Sequence, residues 1–258
     1  MKIVVLMKEV PDTYGDRTLD AETGLADRDG SDRVLDEIGE RALEAALSYA
    51  DAHEGTEVVV MSMAAEIAAA SVRKALAMGA GSAVQVVDEA LAGADLGVTA
   101  RVLAAALRRT GFDLVITGNA STDGSGGVLP AMLAELLAVP QATALSAVEI
   151  SADAVRGTRA SDAGTATVSA PLPAVISVTE ALPEARFPNF KGIMAAKKKP
   201  FETLTLAELE LDVDPASAPQ SIMTAVAAKP PRAAGTKITD EGDAGQRLAA
   251  FLIDNRLA

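Results

Sequence analysis

The sequence has no cysteine and no tryptophan, one histidine, and only two tyrosines and five phenylalanines in 258 residues. Without cysteine there is no disulfide, thiolate nucleophile, zinc–thiolate site or thiolate-held iron–sulfur cluster. The lone histidine, His53, lies in the polar stretch Asp51-Ala52-His53-Glu54-Gly55. It reads as a solvated helix end, whereas a Ser-His-Asp triad would need it in a cleft. No apolar run reaches the length of a membrane span, and no long apolar segment follows Lys2, so no membrane insertion or signal peptide is expected. The expected location is the cytoplasm. Cations are scarce too: 23 Lys and Arg face 36 Asp and Glu, a formal net charge of −13. Nucleic-acid phosphates are bound by clustered cations, so nucleic acid is not an expected partner. The acid excess reads as a solubility feature.

What is present is aliphatic. Hydrophobic residues make up 49% of the chain, with Ala, Val and Leu filling the core, a composition suited to helices packed closely on a buried parallel sheet. The length fits one large α/β domain, alone or with an extension. Ile3–Met7 is a buried-strand run ended by Pro11-Asp12, and residues 12–32 form a polar, aperiodic excursion of the kind that is functional or mobile. Asp36–Ala52 reads as a helix with Ile38, Ala42, Ala45, Ala46 and Tyr49 on one face. Strands at Glu57–Met63, Ala83–Val87 and Asp113–Thr117 alternate with helices at Ala65–Met78, stopped by Gly79, at Leu96–Arg109, and from about 128 to 137. Strands separated by single helices give βαβ units, hence a mostly parallel, doubly wound sheet.

Beyond Pro140 the pattern changes. Ala147–Ile150, Ala154–Arg159 and Thr165–Ser169 read as a β-meander, and Ala174–Val178 as another buried strand. We expect residues 1–199 to form the α/β nucleotide-binding domain. Residues 200–258, rich in Pro and Ala, read as an extended arm ending in a helix at Asp243–Arg256 that packs on a partner.

Two stretches carry chemistry. Gly118, Asn119, Ala120, Ser121, Thr122, Asp123, Gly124, Ser125, Gly126 and Gly127 follow a buried strand and precede a helix that begins near Val128 and Leu129. At the carboxyl end of a parallel sheet such a loop binds ligands, and N–H groups at a helix start favour phosphate. Asp123 is expected to cap the turn. The spacing is neither a Rossmann fingerprint nor a P-loop, and a flexible strand-to-helix loop remains an alternative. The second stretch, Glu184–Met194, holds Arg186, Phe187, Phe190, Ile193 and Met194 ahead of Lys197-Lys198-Lys199. It suits an exposed interaction loop with an apolar anchor, the alternative being a packed helix and loop with a solvated lysine run. Asp36-Glu37 and Asp240-Glu241 read as acids at helix starts or on the surface. No paired-carboxylate, metal-ligand or nucleophile–base constellation stands out.

IVVLMKEVPDT, VLDEIGERALEAAL, RKALAMGAGSAVQV, GNASTDGSGG, LPAVISV and ARFPNFKGIMAAKKK together resemble the electron transfer flavoprotein beta subunit family, in order over about residues 1–200. STDG in the loop and FPNFKGIMAAKKK resemble its actinobacterial branch. The resemblance implies an adenine nucleotide alpha hydrolase-like fold. It also implies an alpha subunit that holds most of the FAD, a structural AMP in this chain, and electron carriage from acyl-CoA dehydrogenases, as in fatty acid oxidation, to a membrane quinone oxidoreductase. Leu6, Met63 and Gly118 to Leu129 would contact AMP, with Asp123 as the motif acid. Thr13 and Leu35 would lie beside the flavin ring, where relatives often carry aromatics, and Phe190 would take the place of an apolar docking anchor. A bifurcating relative carrying a second FAD and a stand-alone adenine-nucleotide-binding module are the alternatives.

Overall fold

A computed structural model describes residues 1–15, 17–28, 30–211, 221, 223–228, 230–232 and 234–257. It separates into two compact units, residues 1–224 and 225–258.

The first unit is built on strand β1 (Lys2–Leu6), whose apolar residues point alternately to opposite faces. Ile3, Val5 and Met7 enter the cluster that also buries Leu43, Leu47, Val72 and Leu76. Val4 enters the opposite cluster, with Val98, Val102, Leu107 and Leu133, and Leu6 packs at its margin. A strand buried on both sides needs a helix on each. Helix α1 (Glu37–Ala52) and helix α2 (Ala69–Met78) supply one face, helix α3 (Leu96–Thr110) and helix α4 (Leu129–Leu137) the other.

The seven-stranded sheet runs β12-β5-β4-β1-β6-β11-β7 and is parallel throughout. Its other members are β4 (Glu57–Met63), β5 (Ser82–Val86), β6 (Leu114–Gly118), β7 (Gln141–Leu145), β11 (Ala174–Val178) and β12 (Phe201–Leu204). The expected doubly wound parallel sheet is thus present. The expected meander forms a separate antiparallel sheet of β8 (Ala147–Ile150), β9 (Ala154–Ser161) and β10 (Gly164–Pro171). A two-stranded antiparallel ribbon of β2 (Glu9–Pro11) and β3 (Arg33–Leu35) closes the base of the excursion.

Three details depart from the sequence reading. On α1 the buried stripe is Gly39, Ala42, Leu43, Ala46 and Leu47, rotated from the Ala45/Tyr49 face because the leucines outweigh the alanines in apolar area. Residues beyond 199 do not begin as an arm: β12 pairs with β5, so the sheet takes its edge strand from them. The lysine run is not wholly solvated. Lys199 Nζ donates to Leu76 O and Ala80 O at 2.8 and 2.6 Å, where a cation complements the carbonyl end of α2, and burial pushes its pKa down.

The second unit holds helix α6 (Ala244–Asp254), close to the expected terminal helix. None of its residues is buried, and Leu248, Phe251 and Ile253 are exposed. Pro215 and Pro219, on which the arm reading leans, lie outside the described residues. Among the described residues no helix is long and apolar enough to cross a membrane.

Candidate functional site

Chain order and strand order together locate a crevice. The segment after β1 leads through α1 on one face, whereas the segment after β6 leads into α4 on the other, although β1 and β6 are neighbours. At such a switch point the two connections diverge and leave room above the carboxyl ends of the strands. Leu6 and Met63 sit there, half-buried, on the α3/α4 side, with Leu129 on the same margin. Together they offer an apolar wall.

The loop 118–127 crosses this crevice. Its first glycine is required by packing: a Cβ at Gly118 would lie 2.3 Å from Ile38 Cγ2, with the rest of that branched side chain 3.1 Å away. Gly127 has φ +67°, which favours glycine, and Ser125 takes φ 48°. The stretch Gly124–Val128 is exposed and runs into α4, whose first N–H groups have no intrahelical acceptor. An apolar wall beside free N–H groups at a helix start fits a purine carrying a phosphate.

Residues far away in sequence hold the loop. Lys8 Nζ donates to Asp123 Oδ1 at 2.7 Å and Arg28 Nη2 to Asp123 Oδ2 at 2.9 Å. Arg17 donates to Thr122 O and, at 3.0 Å, to Pro11 O, so the excursion is strapped across the loop. The Thr122 N–H donates to Asp36 Oδ2 at 2.8 Å. Asp123 is therefore more than the turn cap expected, though its carboxylate does accept the Gly124 N–H at 2.6 Å. Asp36 is not a surface acid. It is 2% exposed, and its second carboxylate oxygen has no partner.

Their pKa values move in opposite senses. Burial raises the Asp36 carboxyl, only partly opposed by the Thr122 N–H. Burial would raise Asp123 too, but hydrogen bonding and charge from Lys8, helped by Arg28 and Ser121, hold it well below the usual carboxylate range. Folded Asp36 thus binds its proton more tightly than unfolded Asp36, so its contribution is fullest at acid pH and declines as pH rises above 3.8. Asp123 contributes above 3.8, and that stability is lost as pH falls. Asp36→Asn removes the titrating carboxyl while keeping an acceptor for Thr122. Urea unfolding should show the variant gaining on the parent as pH rises from 4 to 7. A constant difference across that range would contradict the assignment.

Of the residues expected beside a flavin, Thr13 is exposed, but Leu35 is only 4% exposed and lies in the core. In this chain, then, only Thr13 of the pair presents a side chain to solvent. Tyr14 beside it is 99% exposed.

The 184–199 stretch is partly helical: α5 (Phe190–Ala196) starts at Asn189, whose side chain accepts the Gly192 N–H at 2.8 Å. Phe187 and Phe190 are 90% and 80% exposed, and Ile193 and Met194 about half so. Residues 190, 193 and 194 share one helical face. Arg186 is different. Its guanidinium forks onto both Glu44 carboxylate oxygens at 2.8 Å and reaches Asp51 at 2.9 Å, so it clamps the loop to α1. The hydrogen bonds it donates to Glu44 raise its pKa above the ordinary arginine value.

His53 is exposed and stacks on Tyr49 with ring centroids 3.9 Å apart. Among the described residues no group of three or more His, Cys, Asp and Glu could hold a metal.

Comparison with known proteins bears on this arrangement. A family model for an electron transfer flavoprotein domain matches residues 23–209. The chain is similar to electron transfer flavoprotein subunit beta of Mycobacterium leprae, 45% identical with 99% of this chain and 98% of the relative covered. It is 46% identical to the subunit of that name from Mycobacterium tuberculosis over the same shares. Identity to that of Bacillus subtilis is 33%, over 84% of this chain and 83% of the relative.

Proposed function

The chain belongs to the electron transfer flavoprotein beta subunit family, and from that premise we propose that it is a nucleotide-bearing scaffold and docking surface for a flavin held by a larger subunit. As a member of that family it is the electron-carrying beta subunit of a heterodimer and not an enzyme in its own right. Bound FAD would supply the redox chemistry, and this chain's residues bind, orient and shield.

AMP is the ligand that suits the crevice. Leu6, Met63 and Leu129 would flank the adenine. The N–H groups from Gly126 to Leu129 would meet the phosphate, with Gly118 to Ser125 forming the wall above. Asp36 and Arg17 hold that wall from below and from the side. Through the β2/β3 ribbon the same strap carries Thr13 toward the partner's flavin, with Leu35 anchoring the ribbon beneath it.

The apolar patch of Phe187, Phe190, Ile193 and Met194 would dock acyl-CoA and related dehydrogenases, and Arg186 would hold the patch in place. Electrons would then pass to a membrane quinone oxidoreductase. The stretch 200–258, after its edge strand, would pack on the alpha subunit; the exposed apolar side chains of α6 support this reading.

The observation that carries the proposal is the junction of the crevice with the strapped loop. Co-expression with the larger subunit tests it. A single flavin-yellow species on a sizing column is expected, and two chains eluting separately would overturn the proposal.

A further inference from the structure

Strand order carries the excursion across the crevice. Beyond the β2/β3 ribbon, residues 17–28 fold back on themselves as a short hairpin. The Asp27 N–H donates to Thr18 O at 3.0 Å and the Asp20 N–H to Leu25 O at 2.8 Å, around a bridge of Leu19 to Ala26. The base grips one wall, the loop that follows β6: Arg17 donates to Thr122 O, and Arg28 Nη2 to Asp123 Oδ2 at 2.9 Å. The tip rests on the other wall. Leu25 Cδ2 lies 3.5 Å from where a Cβ on Gly93 would stand, in the segment that follows β5. Between β6 and β5 in the sheet stand β1 and β4. With about 4.8 Å between strands, a hairpin joining the two walls crosses roughly 14 Å, over the carboxyl ends of β1 and β4. Leu6 and Met63 are the last residues of those strands.

The tip is held from outside as well. Asp20 Oδ1 accepts the Glu22 and Thr23 N–H groups at 3.0 and 2.6 Å, and Gly24 turns the chain with φ +70°. A Cβ on Gly24 would lie 2.7 Å from Met223 Cε and 2.8 Å from its Sδ, so the methionine lies where a side chain would stand. Two residues earlier, Ser221 donates its N–H and its Oγ–H to Asp95 Oδ2, both at 3.0 Å. The other Asp95 oxygen caps α3 by accepting the Val98 N–H at 2.8 Å. Met223 is thus held on the tip by an anchor just beyond Gly93. The core does not need either contact, because Met223 is 46% exposed and Ser221 is exposed.

We propose that the hairpin is a lid across the crevice and that Ser221 and Met223 are its latch, so that a nucleotide enters and leaves only when this piece of chain lifts. The inference rests on the adenine-nucleotide reading given above. The tip cannot rise from Gly93 until Met223 has left Gly24. Segments held by few buried apolar contacts open at low free energy, and such an opening gates exchange without altering what the closed site binds.

The test is nucleotide exchange in the purified heterodimer, loaded with radiolabelled AMP and chased with excess unlabelled AMP. Met223→Ser, alone and combined with Ser221→Ala, should speed release about tenfold, the factor given by about 1.4 kcal/mol of lost latch contact. Association should quicken alike, leaving the AMP dissociation constant within about threefold of the wild type, because a lid slows passage in both directions. Leu25→Ser, which loosens the tip from Gly93 without touching the latch, should also speed release. All three positions are at the surface, so melting temperature and flavin content should stay at wild-type levels. Unchanged release in the Met223 variants would overturn the inference, whatever Leu25→Ser does. Faster release with weaker binding and unchanged association would make Met223 a ligand contact and overturn it as well. A wild-type heterodimer that holds no AMP would overturn the nucleotide reading, and the lid with it.

Discussion

Phe190→Ala should raise the dehydrogenase concentration needed for half-maximal flavin reduction by about 30-fold, while heterodimer yield and flavin content stay at wild-type levels. The size follows from the typical cost of about 2 kcal/mol or more for truncating an aromatic hot spot. Phe190 is 80% exposed and contributes little to the chain's own core, so its removal leaves the fold intact. An 80% exposed phenylalanine on a helix face shared with Ile193 and Met194 is costly to leave in water unless a partner covers it. Stopped-flow reduction with several acyl-CoA dehydrogenases reads this directly. Unchanged concentration dependence with all of them would remove Phe190 from the docking role.

Gly192→Ala should do more damage from a less conspicuous position. A Cβ there would lie 2.3 Å from Ala77 O, a backbone atom near the end of α2, and 3.4 Å from Ala77 C. No rotamer relieves a clash between a Cβ and a backbone carbonyl, so α5 has to lift away. Overpacking of this kind costs about 3 kcal/mol, or roughly 6–12 °C in melting temperature for a unit of this size. Phe190, Ile193 and Met194 move with the helix, so docking should fall at least as far as in Phe190→Ala. Calorimetry and the reduction assay measure the two effects separately. A variant with native melting and native docking would show that α5 is not seated on α2 as described.

How much of this was legible in the sequence depended on whether the signal was local. Ile3–Met7, Glu57–Met63 and Ala174–Val178 are short apolar runs of buried-strand type, and strands form there at Lys2–Leu6, Glu57–Met63 and Ala174–Val178. β2, β3 and β12 are three or four residues long, and β7 reads QATAL. Such segments become strands because a neighbouring edge offers hydrogen bonds, which propensity does not register. α5 had a signal in Asn189 followed by helix-compatible residues, but Pro188 and Gly192 obscured it.

The crevice shows the same division. Its glycine loop was legible because strand, loop and helix are contiguous. Lys8 and Arg28 were missed because they lie 115 and 95 residues from Asp123, and only the folded chain joins them. Asp36 does stand at a helix start, as read, but its burial was not legible, for a related reason. An aspartate at a helix start is usually solvated, and its burial comes from the loop that folds over it, 86 residues downstream.

We propose that this chain carries a nucleotide of its own in support of a partner's flavin. Mass spectrometry of the small molecules released from the purified heterodimer, with flavin absorbance for stoichiometry, tests it most directly. One AMP and one FAD per heterodimer is the expected result. Two FAD and no AMP, or one FAD with no adenine nucleotide at all, would contradict it.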